Sequence, residues 1–171
     1  MITLYIAQSL DGYIAGPKGE VGFLDKVDDP EGKEDYGYAA FLVTVDALVM
    51  GRKTWDFVVS TGTWHYHGKE SWVLTRQRGL KPMADERFVE FDPEQWRSKG
   101  RQGHVWVVGG GEVNRLFLEH KLFDRLVIST IPVLLGEGLP CFPAGFPRSD
   151  WKLASTRTYA SGLLQTVHVR A

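Results

Sequence analysis

Residues able to hold an anionic ligand fall at the ends of short apolar runs. Gly109-Gly110-Gly111 follows Val105-Trp106-Val107-Val108 and precedes Val113, Leu116, Phe117 and Leu118, an apolar face at helical spacing. A strand turning through glycines into a helix points backbone N–H groups outward with no side chain in the way, which suits a phosphate. The same residues also make a tight turn that binds nothing, and the motif alone does not choose between the two. A second junction of this kind is Asp46-Ala47-Leu48-Val49-Met50, a short buried run followed by Gly51-Arg52-Lys53-Thr54 and a short helix through Phe57. A third run, Trp72-Val73-Leu74-Thr75-Arg76, ends in a hydroxyl and a guanidinium. Ligands of open α/β sheets bind at the carboxyl ends of strands, so these termini, with Ala7 to Ile14, are the place to look. Guanidinium groups pair with phosphate in a charge-assisted fork, so Arg52 and Arg76, with the hydroxyl of Thr75, would suit an extra phosphate on a ribose. Each arginine taken singly reads as solvated surface. The dinucleotide fingerprint GxGxxG is absent, because Glu112, Val113 and Asn114 follow Gly111.

His65 and His67 form an HxH pair in the loop from Ser60 to Lys69, with no third ligand at a recognisable spacing; they read as polar loop histidines, and no metal site is expected. The single cysteine, Cys141, excludes an internal disulfide and fits a reducing compartment.

These residues need a scaffold. Ile2 to Ala7 is a nearly continuous apolar strand, suited to the middle of a sheet. The loop Ser9 to Pro17 keeps Leu10 and Ile14, which suggests that it folds back over the sheet. Residues 25 to 34, DKVDDPEGKE, read as an exposed polar segment. A helix is expected from about Asp35 to Thr44, with Ala39, Ala40, Leu42 and Val43 available for burial and Gly37 weakening it. Phe88 to Phe91 reads as a further strand, and Asp92-Pro93 as a helix start. Arg125 to Ile131 is another strand, Leu135 to Pro140 a glycine-rich loop, and Trp151–Tyr159 with Leu163–Val169 an antiparallel hairpin. Strands alternating with helices, then a hairpin, imply a mostly parallel sheet with antiparallel strands at one edge.

The chain of 171 residues suits one domain, 1–171, with a full core. A formal net charge of −1 gives no reason to expect nucleic acid or an anionic membrane as partner. No apolar run approaches the roughly 20 residues of a membrane span. The start MITLYIA lacks a basic lead and is interrupted by Gln8 and Asp11, so it reads as a strand and not a signal peptide. A cytoplasmic protein is the expectation.

In order and spacing, ITLYIAQSLDGYIAG, VMGRKTW, WVLTR, VVGGGEVNRLFL and LVISTIPVLLGEGLPCF, with the closing hairpin, resemble the dihydrofolate reductase-like superfamily. Its reductase domain of the bifunctional riboflavin-biosynthesis deaminase–reductase is the nearest branch. The resemblance spans nearly the whole chain. It implies a three-layer α/β/α fold with a mixed, mostly parallel sheet, an NADPH cofactor, a small-molecule substrate of aminopyrimidine or pterin type, and a homodimer. Carried across by resemblance, Ala7 and Ile14 flank the nicotinamide. Gly51, Arg52, Lys53 and Thr54 take the pyrophosphate and adenosine side. Leu74, Thr75 and Arg76 hold the adenosine with its 2′-phosphate. Gly110, Gly111, Glu112 and Val113 cradle the diphosphate, Val108 and Gly109 also belong to the cofactor site, and the family often has a cis peptide between the first two glycines, here Gly109-Gly110.

SLDGYIA and PVLLGEGLPCF favour the riboflavin branch, implying reduction of the aminouracil phosphoribosyl intermediate. Asp35, fifteen residues before Met50, lies where folate reductases keep the acid that engages the pterin. A buried carboxyl there would have a raised pKa and serve as catalytic acid; the other reading is that Asp35 caps a helix. The segment DDPEGKE has no tryptophan and looks too polar to grip a pteridine. The zinc deaminase signature is missing, since Phe142 and Pro143 follow Pro140-Cys141. Dihydrofolate reduction and a non-catalytic NADPH-binding module are the alternatives.

Overall fold

The computed structural model describes residues 1–26 and 34–171. The centre of the polar segment 25–34 lies outside the described residues. The strands are β1 (Ile2–Ser9), β2 (Tyr13–Ala15), β3 (Ala47–Gly51), β4 (Glu70–Leu74), β5 (Arg87–Val89), β6 (Val105–Gly109), β7 (Arg125–Ile131), β8 (Leu139–Pro140), β9 (Trp151–Thr158) and β10 (Leu164–Arg170). The α-helices are α1 (Tyr38–Val43), α2 (Arg52–Ser60), α3 (Pro93–Gln102) and α4 (Gly111–Glu119).

An eight-stranded sheet in the order β5-β4-β3-β6-β1-β7-β10-β9 forms the middle layer. Pairs from β5 to β7 are parallel, and β10 joins β7 and β9 antiparallel, as the alternation and the closing hairpin imply. Leu48, Val49, Met50, Val105 and Val107 are almost wholly buried, which explains why these strands read as unbroken apolar runs.

Side chains on one face (Leu4, Val49, Val105, Val107) pack with Trp96 of α3 and with Val113, Phe117 and Leu118 of α4. On the other face, Leu48, Met50, Val73 and Trp106 pack with Trp55 and Val58 of α2 and with Tyr38, Phe41 and Leu42 of α1. These are the three layers.

Local signals explain most boundaries. The Asp92 side chain accepts the Glu94 N–H at 3.0 Å, and Pro93 opens α3. The helix expected from Asp35 starts only at Tyr38, after left-handed Tyr36 (φ 55°) and Gly37 (φ 81°). Its packed face is Tyr38, Phe41 and Leu42, the i, i+3, i+4 set, while Ala39, Ala40 and Val43 are exposed. The expected burial of both alanines and Val43 is therefore corrected. Phe41 stacks on Tyr5 at a centroid distance of 4.3 Å, so α1 is pinned to β1 by rings.

Two segments expected as loops pair with each other. Tyr13–Ala15 and Leu139–Pro140 form a small antiparallel sheet, with Tyr13 opposite Pro140. The Asp11 carboxylate accepts backbone N–H groups of Leu135 and Gly136, and the Cys141 N–H donates to the Gly12 carbonyl at 2.8 Å. Four donors, including the Ser9 hydroxyl, hold the Asp11 carboxyl below its ordinary value, the Ser9 contact most strongly. Among the described residues no helix is long and apolar enough to cross a membrane.

Candidate functional site

The two strand–glycine–helix junctions meet. An ideal Cβ on Gly51 would stand 3.1 Å from Val113 Cγ2 and 3.8 Å from the Gly109 carbonyl. One on Gly110 would stand 3.4 Å from Ile14 Cδ1 and 3.7 Å from Thr54 Oγ1. Gly51, Thr54, Gly109, Gly110, Val113 and Ile14, drawn from three separate stretches of sequence, thus come together at the carboxyl ends of β3 and β6. Gly51 and Gly110 are the N-caps of α2 and α4, and neither helix has a side-chain cap. The first-turn N–H groups of two adjacent helices are left for another acceptor, the arrangement that favours a pyrophosphate. The peptide between Gly109 and Gly110 is cis.

The third strand end adjoins this pair: Leu74 is registered with Gly51 across β3 and β4. The Thr75 N–H donates to Val89, and its hydroxyl accepts the Gln77 N–H at 3.0 Å, fixing the turn that carries Arg76. Arg76 and Lys53 are exposed, with no ion-pair partner among the described residues. Arg52 is paired with Asp56 one turn along α2. Glu112 lies in the first turn of α4 but aims its carboxylate at Arg115, 3.1 Å away. Only its backbone can face an anion. Val108 is half-buried on β6 before the glycines.

The three consecutive glycines are not equivalent. A Cβ on Gly111 would fall 2.3 Å from the Pro140 carbonyl and 3.0 Å from Pro143 Cγ. Gly111 is needed so that the segment around Cys141 can press on the start of α4, where Asn114 Nδ2 donates to the Cys141 carbonyl at 2.9 Å. Burial pushes the Cys141 thiol up to about 12, so it is no nucleophile near neutral pH.

Asp35 is exposed, and its carboxylate accepts the N–H groups of Gly37 and Ala39, each at 2.9 Å. The Ala39 and Gly37 contacts hold its pKa below the ordinary carboxylate range. The buried carboxyl with a raised pKa is not found; the geometry is that of a cap on α1. His65 and His67 are exposed while Trp64 and Tyr66 between and before them are buried, so the pattern is an extended segment alternating core and solvent.

The α1 face of the sheet beside Ala7 holds polar groups that the sequence reading did not single out. Ala7 is registered with Ser129 on β7, and Ser129 with Gln165 on β10. The Gln165 amide donates to Ser129 Oγ and to the Tyr36 carbonyl, both at 3.1 Å. Tyr5 Oη donates to the same carbonyl at 2.9 Å, and burial raises its pKa. Alternation along each strand puts Ser129 and Gln165 on a face, but only the register sets them opposite each other.

Comparison with known proteins bears on the fold and the family. A structure from Shewanella sp. PV-4, provisionally described as a riboflavin biosynthesis protein, is 30% identical with a TM-score of 0.88, covering 99% of this chain and 98% of that one. Acinetobacter baumannii RibD has a TM-score of 0.70 at 19% identity, over 99% of this chain and 57% of that one, a likeness of fold. The fold is therefore that of the dihydrofolate reductase-like superfamily. Residues 97–165 match the model of the RibD C-terminal domain. Two Bacillus subtilis (strain 168) proteins, YwjB and YyaP, both described as uncharacterized, are 34% and 30% identical; they span 99% and 98% of this chain and 97% and 93% of their own lengths. The chain belongs to the RibD C-terminal domain family.

Proposed function

We propose that the protein is an NADPH-dependent reductase of an aminouracil phosphoribosyl-type substrate, as in riboflavin synthesis. The observation that carries this reading is the meeting of two uncapped helix N-termini at Gly51 and Gly110, side by side at parallel strand ends. The residues fit a dinucleotide phosphate. N–H groups of α2 and α4 would donate to the pyrophosphate oxygens, with Gly109, Gly111, Glu112 and Val113 contributing backbone only. Lys53 and Arg76, with Arg52 once it leaves Asp56, supply positive charge for a 2′-phosphate beside Thr75 and Leu74. Ala7, Ile14 and Val108 would exclude water around the nicotinamide.

When bound, NADPH supplies hydride for an open-chain ribose carbonyl, giving an alcohol once the oxygen takes a proton. The protein's part is to orient the carbonyl and keep the site dry. Water delivers the proton in this reading, because the Asp35 carboxylate is held ionised by its capping bonds. The working form is taken to be a homodimer, for which light scattering is the direct check. Stopped-flow absorbance at the nicotinamide band tests the reaction. Oxidation of NADPH with the aminouracil phosphoribosyl compound supports it. Oxidation with dihydrofolate alone would make the protein a folate reductase, and binding without turnover a cofactor-binding module.

A further inference from the structure

Buried polar groups are almost always hydrogen-bonded, so two unmated ones side by side ask for an explanation. Tyr36 and Tyr159 each carry a buried phenol oxygen with no hydrogen-bond partner among the described residues. Their rings meet edge to face, 4.9 Å between centroids. Tyr159 is only 9% exposed, in a cluster with Phe23, Ile131 and Leu163 against which Ala7 and Tyr36 also pack. Both rings therefore share an apolar cluster with Ala7, the residue expected to flank the nicotinamide.

Tyr36 is held there against its backbone preference. Its φ of 55° lies in the left-handed region that a bulky side chain rarely adopts, and its carbonyl accepts bonds from both Tyr5 and Gln165. Gln165 is tied in turn to Ser129, the cross-strand neighbour of Ala7. A strained residue fixed by two side chains, with an idle hydroxyl, is what a preorganised binding group looks like. Tyr5, Ser129 and Gln165 are neutral, and the charged groups beside the two phenols are already engaged: Arg157 pairs with Glu34 and lies over the Tyr159 ring at 4.5 Å, and the Asp35 carboxylate accepts the N–H groups of Gly37 and Ala39.

We propose that Tyr36 and Tyr159 are the substrate-side donors of the site: two neutral phenols that hold carbonyl oxygens of an uncharged planar ring, with Gln165 as the positioning residue. This rests on the reductase reading only in taking Ala7 to mark the cofactor side. A phenol O–H suits a carbonyl acceptor, and the aromatic rings suit a flat heterocycle.

The test uses the full chain with NADP+ and 6-aminouracil, an uncharged ring with two carbonyl acceptors, followed by ligand-observed NMR. Tyr36→Phe and Tyr159→Phe remove the hydroxyls and keep the rings. Each variant should weaken 6-aminouracil binding about 5-fold while its melting temperature stays level or rises, because no native bond is lost. Affinity for NADPH, measured separately by fluorescence, should stay unchanged. No binding of 6-aminouracil to the wild type, unchanged affinity in both variants, or a drop in melting temperature in both would overturn the proposal. Wild-type protein that binds 6-aminouracil, with the expected losses, but ignores NADPH would sink the reductase reading and leave the phenol pair standing.

Discussion

Gly51 and Val113 touch across the gap between two helix N-termini: a Cβ on Gly51 would lie 3.1 Å from Val113 Cγ2. Val113 is buried and β-branched, so it has little freedom to yield. The Gly51 backbone (φ −78°, ψ 159°) is open to any residue, so a substitution there acts by contact alone. Gly51→Ala should spread α2 and α4 by a few tenths of an ångström and weaken NADPH binding about 10-fold, with a stability loss of about 1 kcal/mol. Fluorescence titration and urea denaturation give the two readouts; full affinity in the variant would remove Gly51 from the cofactor site.

Gly111 makes a different prediction. Its missing Cβ faces the Pro140 carbonyl at 2.3 Å, a backbone atom that cannot swing aside. Gly111→Ala should therefore destabilise the protein by about 2 kcal/mol, seen in the urea midpoint before any cofactor is added.

For Asp35 the two readings of its role separate cleanly. A capping carboxylate is replaced well by asparagine and poorly by alanine. Asp35→Asn should keep its turnover and pH profile, whereas Asp35→Ala should melt at a lower temperature. Loss of the acid limb of the rate profile in Asp35→Asn would restore the proton-donor role. The pKa is depressed, so this carboxylate's contribution to stability is present above its unfolded value near 3.8 and is lost as pH falls through the lower folded one.

His104 sets a stability window nearer neutrality. It is 8% exposed, with Nε2 2.9 Å from Thr3 Oγ1 and Nδ1 3.1 Å from the Thr44 carbonyl. Burial lowers its pKa below 6.5, so the folded state resists the proton that the unfolded chain accepts. Stability from this group is complete above about pH 6.5 and declines below it. NMR titration of the ring should show a midpoint under 6.5; one at or above that value would contradict the assignment.

Most of the sheet was legible because its strands are buried on both faces and so read as apolar runs. Arg125 to Ile131 and the capped start at Asp92-Pro93 match to the residue. The glycine junctions were legible as a type, but not that Gly110 looks toward Ile14 and Thr54 while Gly111 looks into Pro140. That difference depends on a loop about 30 residues downstream, which no local pattern encodes. Asp35 misled because chain distance from Met50 says nothing of burial. Gln165 was silent because a lone polar residue in an edge hairpin resembles ordinary solvent-facing alternation.

The clasp between Tyr13–Ala15 and Leu139–Pro140 carries one more consequence. Asp11, Gly12 and Tyr13 are joined to Leu135, Gly136, Pro140 and Cys141 by backbone and carboxylate bonds, and Gly111 is shaped to the same segment. These pieces are distant in the gene yet form one inheritable part. Replacing either loop without its mate would break this pairing, so an exchange must move both together.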